Sequence, residues 1–143
     1  MNISKKNCIG LISDKFPEFQ LLWDSYQSEY TEIVGGLFGT TPFKIEDRIC
    51  GGMITFSDYV SKLLISNKTK PDQINEIFSF IEHLFTNGDE DVKNAIATCF
   101  LENILNKIPD KIDPKRFVPY LGPNSRDYCR AWDEFCGVQT EGL

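Results

Sequence analysis

The feature that most constrains the fold is a helix-forming segment after Asp89 that is apolar on two sides. Two sets of apolar residues recur at helical spacing, and together they cover more than half of the circumference of one helix. The first set is Val92, Ala95, Ile96 and Cys99, and the second is Ala97, Leu101, Ile104, Leu105 and Ile108. A helix with this pattern is buried between neighbours. The sequence therefore predicts an all-α fold with this helix near its centre.

A second helix precedes this segment and forms a hairpin with it. Pro71 and Asp72 predict its first turn, because proline is preferred at the first helical position. Its apolar stripe consists of Ile74, Ile77, Phe78, Ile81, Leu84 and Phe85. Asn87-Gly88 predicts a left-handed C-cap, and Asp89 predicts the N-cap of the next helix.

This hairpin, from Asp72 to Ile108, resembles a HEAT-type helix pair. The resemblance lies in the tight glycine turn, in the Asp-x-Asp-Val-Lys start at Asp89 to Lys93, and in the small residues Ala95 and Ala97, which permit close packing. A second copy at a fixed period is not evident in the sequence. Two architectures therefore stay open: an irregular helical bundle, or a short HEAT-like array of helical hairpins.

The N-terminal half contains three further predicted segments. Pro17 separates two amphipathic helices that open the chain, since proline breaks a continuing helix. The glycine-rich stretch from Thr31 to Met53 is predicted to be a long loop with a short helix or strand around Phe43 to Cys50. Thr55 and Asp58 form a capping-box-like pattern, which predicts that the third helix begins there.

The C-terminal helix is marked at both ends. Asn124 or Ser125 is predicted to cap its first turn, and Gly137 is predicted to end it. Its predicted apolar face consists of Tyr128, Cys129, Trp132, Phe135 and Cys136. The tail from Val138 to Leu143 is predicted to fray.

Length and charge limit the function. The 143 residues are expected to form one α-helical domain, residues 1–143, and 15 basic against 21 acidic residues give a net charge of -6. Because binding to nucleic-acid phosphates draws on clustered Lys and Arg, direct nucleic-acid binding is not expected. A basic protein is the expected partner.

The lack of a recognisable targeting segment and the pattern of cysteines predict a cytoplasmic protein. The apolar stretch from Cys8 to Ile12 is too short for a signal peptide, and no stretch reaches the roughly 18–20 apolar residues of a membrane helix. The five cysteines are odd in number and contain no CxxC pair. All five are therefore expected to be reduced, structural and mostly buried.

No set of residues predicts catalysis, a cofactor or a metal site. The single histidine, His83, is expected to be a partly exposed helix residue, which excludes a His-rich metal site. Cys99 lies on a packed helix face, and Cys129 and Cys136 share a face, so each is expected to be inert core filling. Gly35 to Thr40 lacks the Gly-Lys-Ser/Thr ending of a phosphate-binding loop and is predicted to be a turn.

Three stretches of the chain carry a resemblance to a family. They are Phe16 to Phe19 with Leu22-Trp23, the hairpin from Phe80 to Leu105, and Tyr120 to Pro123 with Ser125 to Tyr128 and Ala131-Trp132. In these stretches the sequence resembles small bacterial helical proteins, some of which are immunity proteins of contact-dependent growth inhibition and polymorphic toxin systems. The stretch from Tyr30 to Ile54 departs from that pattern.

The resemblance implies an immunity protein that binds and neutralises a cognate toxin of the nuclease type and has no catalytic residues of its own. A helical protein-interaction adaptor of another function is the alternative, and a small cytosolic enzyme comes third. With the net charge, the resemblance points to an acidic binding surface. The candidate partner-binding residues are Glu82, Asp89, Glu90 and Asp91 around the hairpin turn, with Glu29 and Glu32 as second choice.

Overall fold

The computed structural model describes residues 2–38 and 48–143, and for residues 29–38 the backbone alone. Within these residues the fold is all-α, as predicted. The helices are α1 (Cys8–Lys15), α2 (Pro17–Phe38), α3 (Ile49–Ile65), α4 (Pro71–Asn87), α5 (Glu90–Asn94), a π-helical segment (Ala95–Leu101), α6 (Glu102–Leu105), two 3-10 turns (Pro114–Arg116 and Val118–Tyr120) and α7 (Pro123–Cys136). None of the helices described is both long and apolar enough to cross a membrane.

Three elements, α5, the π-helical segment and α6, follow one another without a break, and we call them the central helix. Both predicted apolar sets are buried along it except for Ile108, which follows α6 and is only partly buried. The buried residues are Val92, Ala95, Ile96, Ala97, Cys99, Phe100, Leu101, Ile104 and Leu105. Helix α3 packs along the π-helical segment, and α4 and α7 also contact the central helix. The prediction of a helix covered on both sides is confirmed, and the architecture is an irregular helical bundle.

A chain of phenylalanine rings connects these helices through the core. Ring centroids are 5.5 Å apart for Phe16 and Phe56, 5.5 Å for Phe56 and Phe100, 6.1 Å for Phe100 and Phe78, and 5.6 Å for Phe78 and Phe117. Aromatic pairs at these separations add a favourable quadrupole interaction to the burial of apolar area. The junction between α1 and α2, α3, the central helix, α4 and the turn before Val118 therefore share one core.

The glycine-rich middle of the sequence is more helical than predicted. The backbone of α2 continues to Phe38, and α3 begins at Ile49, so Thr55 does not cap a helix. Instead Thr55 lies inside α3, where its hydroxyl donates to the carbonyl oxygen of Gly51 at 2.8 Å. Most of the predicted short element around Phe43 falls in residues 39–47, which lie outside the described residues.

Close packing explains why glycines occur in the first turn of α3. A Cβ atom at Gly52 would lie 2.4 Å from the Cδ1 atom of Ile9 in α1. A Cβ atom at Gly51 would lie 2.9 Å from the Tyr26 hydroxyl in α2. Tertiary packing thus compensates for the low helix propensity of glycine, which the sequence pattern alone could not show.

The C-terminal helix and the tail differ from the prediction at two points. Helix α7 begins at Pro123 with Gly122 as its N-cap, so neither Asn124 nor Ser125 caps it, whereas Gly137 ends it with a positive φ of 70°, as predicted. The tail folds back rather than fraying. Its Thr140 donates to the buried Asp133 carboxylate through both the backbone N–H, at 2.6 Å, and the hydroxyl, at 2.8 Å.

Candidate functional site

The N-terminal segment braces the turn between α4 and α5. Buried Ile3 forms an isolated parallel bridge with Gly88, and the N–H of Asp89 donates to the Ile3 carbonyl oxygen at 2.8 Å. The backbone of Gly88 is extended, with φ -79° and ψ 157°, so the predicted left-handed C-cap is wrong. Glycine is required here by space, because a Cβ atom would lie 2.4 Å from Val92 Cγ1 and 2.7 Å from the Leu84 carbonyl oxygen.

Asp89 is the N-cap of α5, as predicted. Its Oδ1 atom accepts a hydrogen bond from the N–H of Val92 at 3.0 Å. The carboxylate also lies close enough to Cys8 to add to the effect of burial on that thiol. Asp89 is thus part of the structure of the turn, and its partner-binding role stays a prediction.

Glu90 and Asp91, which we call the acidic pair, are exposed in the first turn of α5. The Glu90 side chain is 86% exposed, and its Oε1 atom lies 4.0 Å from the Nζ atom of Lys93. An ion pair this long and exposed contributes little to stability. The acidic pair therefore presents its charge to solvent next to a rigid turn.

Glu82 lies on α4 but caps the start of α7. Its Oε1 atom accepts from the N–H of Asn124 at 2.5 Å, and its Oε2 atom accepts from the N–H and the hydroxyl of Ser125 at 3.1 and 3.0 Å. Gly122 permits this approach, because a Cβ atom there would lie 2.2 Å from the Glu82 Cγ atom. A partner-binding role for Glu82 stays a prediction, and the carboxylate already has these internal donors.

The second-choice residues, Glu29 and Glu32, belong to the backbone of α2. Only their backbone is among the described parts of the chain, so their partner-binding role stays a prediction.

Two cysteines are joined, contrary to the expectation of five reduced thiols. Cys50 and Cys99 form a disulfide with their Cα atoms 5.4 Å apart. The residues are 49 positions apart in the sequence. The sequence pattern could not show that the first turn of α3 packs beside the π-helical segment.

The three free cysteines divide into two buried thiols and one exposed thiol. Burial raises the pKa of Cys8 to about 12, with a further contribution from Asp89, and burial raises the pKa of Cys129 to about 12, with a further contribution from Asp133. Both thiols are therefore protonated and unreactive near neutral pH. Cys136 is exposed, so the prediction that it fills the core with Cys129 is wrong.

The end of α7 leaves aromatic surface uncovered. Phe135 is 90% exposed, although it was predicted to be on the apolar face, and Trp132 is only partly buried. Trp132 and Leu105, the last residue of α6, line the same groove of about 550 Å³, which the tail closes on the other side. Phe135 thus lies at the surface beside this groove, in the last turn of α7.

A polar cluster that no sequence pattern predicted joins α3 to α6 and to Lys107, which follows α6. The Nζ atom of Lys107 donates to Asp58 Oδ1 and to Ser61 Oγ, both at 3.0 Å, and Asn103 donates to Ser57 and Asp58. The Ser61 hydroxyl donates to the Ser57 carbonyl oxygen at 2.7 Å. The cluster thus joins α3 to the end of the central helix through hydrogen bonds and through the Lys107–Asp58 ion pair.

His83 is exposed on α4, as predicted. Its ring stacks on Phe80 with centroids 6.3 Å apart, and its Nδ1 atom lies 3.2 Å from the Nδ2 atom of Asn87. Among the side chains that the structure describes, those of residues 2–28 and 48–143, no three His, Cys, Asp or Glu groups converge on a point that could hold a metal ion.

Comparison with known proteins gives one family. No curated protein and no solved structure matches the chain. A family model described as a domain of unknown function, DUF7674, matches residues 9–137, which include the hairpin, the acidic pair and the whole of α7. The chain therefore belongs to the DUF7674 family.

Proposed function

We propose that this protein is a bacterial immunity protein that acts in the cytoplasm, where it binds and neutralises a cognate nuclease-type toxin without catalysis of its own. The observation that carries the proposal is the exposed acidic pair, Glu90 and Asp91, on a chain of net charge -6. A nuclease needs a basic surface to bind the phosphate backbone of its nucleic-acid substrate. An acidic protein that docks on that surface excludes the substrate.

The shape of the turn supports binding at this place. The backbone that carries the acidic pair is held by the Asp89 cap and by the Ile3 bridge to Gly88. A rigid site loses little conformational entropy when it binds a partner. The resemblance of the hairpin to immunity proteins points to the same segment.

The proposal predicts that a neighbouring gene encodes the cognate toxin domain, and it is tested with that domain and the variant Glu90→Lys/Asp91→Lys. Because surface charges act mainly on encounter, we expect association to slow about tenfold at low salt and to lose most of its salt dependence. Glu82 and Asp89 are left unchanged, since each caps a helix.

The matched control is Asp72→Lys/Asp127→Lys. It makes the same change in net charge, and both residues are exposed near the starts of helices, α4 and α7. The control is expected to slow association by about twofold at most, because only the summed field of the protein changes. Equal slowing by both variants would contradict a binding site at the acidic pair.

A helical interaction adaptor is the second candidate, and the exposure of Phe135 favours it. A large apolar side chain that is 90% exposed can serve as an anchor in a partner's pocket. If Phe135→Ser abolishes binding to a protein partner while Glu90→Lys/Asp91→Lys leaves association unchanged, the end of α7 is the binding surface and the adaptor interpretation replaces the first.

A further inference from the structure

The Cys50–Cys99 disulfide joins the start of α3 to the middle of the central helix. Cys50 lies in the first turn of α3, and Cys99 lies in the π-helical segment of the central helix. Cys50 is exposed, whereas Cys99 is only 7% exposed. One side of the disulfide is therefore open to a reagent from solvent, and the other is anchored in the core.

The start of α3 has little helical stability of its own. Its first four residues, Ile49 to Gly52, include two glycines and no acidic side chain. Each glycine costs about 1 kcal/mol of helix propensity relative to alanine, and an acidic side chain would have stabilised the N-terminal end of the dipole. The first turn therefore depends on its tertiary contacts, of which the disulfide is the covalent one.

The other half of the disulfide, Cys99, lies in the π-helical segment. It runs from Ala95 to Leu101 in the middle of the central helix, and Cys99 lies within it. Such segments occur frequently at functional sites, because they displace the helix ladder locally. The residues that follow Cys99, Phe100 and Leu101, are buried in the core.

From this placement we infer that Cys50–Cys99 is a redox-sensitive clip, opened by a small dithiol, that controls the first turns of α3. A thiolate of the dithiol attacks the sulfur of Cys50 and breaks the S–S bond, and Cys99 leaves as a thiolate that takes up a proton. The second thiol of the reagent then displaces Cys50. The protein gains two electrons and two protons, and the dithiol becomes a cyclic disulfide.

Opening the clip loosens a limited part of the fold. In a helix, the N–H groups of Met53, Ile54 and Thr55 donate to the carbonyl oxygens of Ile49, Cys50 and Gly51. Protection of these three amides from hydrogen exchange therefore reports on the first turn. The contacts of Gly51 with Tyr26 and of Gly52 with Ile9 belong to the same turn, so loosening it also changes the surface where α1, α2 and α3 meet.

The test is hydrogen exchange of the full chain with and without dithiothreitol. Upon reduction, we expect exchange at Met53–Thr55 to accelerate at least about tenfold more than exchange at Ile77, Phe78 and Ile81 in α4. Cys50→Ser should show the fast exchange without the reagent and should not respond to it. The matched control, Cys136→Ser, removes an exposed free thiol and should respond as the wild type does.

Two results would overturn the inference. Alkylation of the denatured, unreduced protein that labels five cysteines would show that the disulfide is absent. Equal acceleration at Met53–Thr55 and in α4 would show that the disulfide stabilises the fold as a whole and controls no separate segment.

Discussion

Glu82 on α4 caps α7 through Ser125, whose N–H and hydroxyl both donate to the Glu82 Oε2 atom, at 3.1 and 3.0 Å. The carboxylate comes from another helix and satisfies N–H groups that a local cap would otherwise satisfy. It also places a negative charge at the positive end of the α7 dipole. This contact joins the start of α7 to the hairpin.

Removing this cap should destabilise the fold. We expect Glu82→Ala to lower the free energy of unfolding by about 1–2 kcal/mol, which is the usual cost of losing a helix cap. Urea unfolding followed by circular dichroism measures the change. Glu134→Ala, at an exposed position of α7, is the control and should change stability by about 0.5 kcal/mol at most. Equal effects of the two variants would mean that the Glu82 contact adds nothing to stability.

The buried thiols should make the protein less stable in alkali. An unfolded thiol has a pKa of 9.0, and burial raises the pKa of Cys129 to about 12 in the folded protein. Above pH 9 the folded state therefore binds more protons than the unfolded state, and stability falls as the pH rises towards 12. The contribution of Cys129 to this loss is about 2 kcal/mol at about pH 10.5.

The variant Cys129→Ala tests that contribution. Its free energy of unfolding should fall less than that of the wild type between about pH 8 and about pH 10.5. Cys136→Ala, at an exposed thiol, should fall as the wild type does. Samples are kept under argon, and mass spectrometry checks that Cys50–Cys99 is intact. Identical pH dependence of all three proteins would contradict the raised pKa of Cys129.

Two glycines should respond oppositely to alanine. Gly137 has a φ of 70°, so Gly137→Ala should lower the free energy of unfolding by about 1 kcal/mol, although no neighbouring atom lies within 4 Å of the place of a Cβ atom. Gly10 lies inside α1, and a Cβ atom there would point into open space. Gly10→Ala should therefore stabilise the protein by about 0.5–1 kcal/mol. The two melting temperatures, measured together, check the pair. A shift in the same direction for both would contradict the assigned helix ends.

The sequence predicted a helix end correctly where the residues that determine that end lie within one turn of it. The Asp89 cap and the Gly137 end depend on residues within one turn, and both are confirmed. The capping-box prediction at Thr55 was wrong because packing of Gly52 on Ile9 extends α3 backwards past the motif. In that case a tertiary contact overrode a local preference.

In the candidate site, too, the sequence predicts the local features and not the contacts between distant residues. Exposure of Glu90 and Asp91 follows from their place in the first turn of a capped helix, which the sequence pattern shows. The contact of Glu82 with Ser125 and the disulfide of Cys50 with Cys99 join residues 43 and 49 positions apart. No periodicity or spacing encodes such pairs, because they depend on which helices become neighbours.

The proposed function is tested most directly by growth of bacteria that express the toxin domain of the neighbouring gene. Co-expression of this protein should restore growth, and the two proteins should co-purify. Glu90→Lys/Asp91→Lys should protect less well than Asp72→Lys/Asp127→Lys when both are expressed at the same low level. If the wild-type protein, folded and expressed, neither binds the toxin domain nor restores growth, it is not the immunity protein of that toxin and the proposed function is wrong.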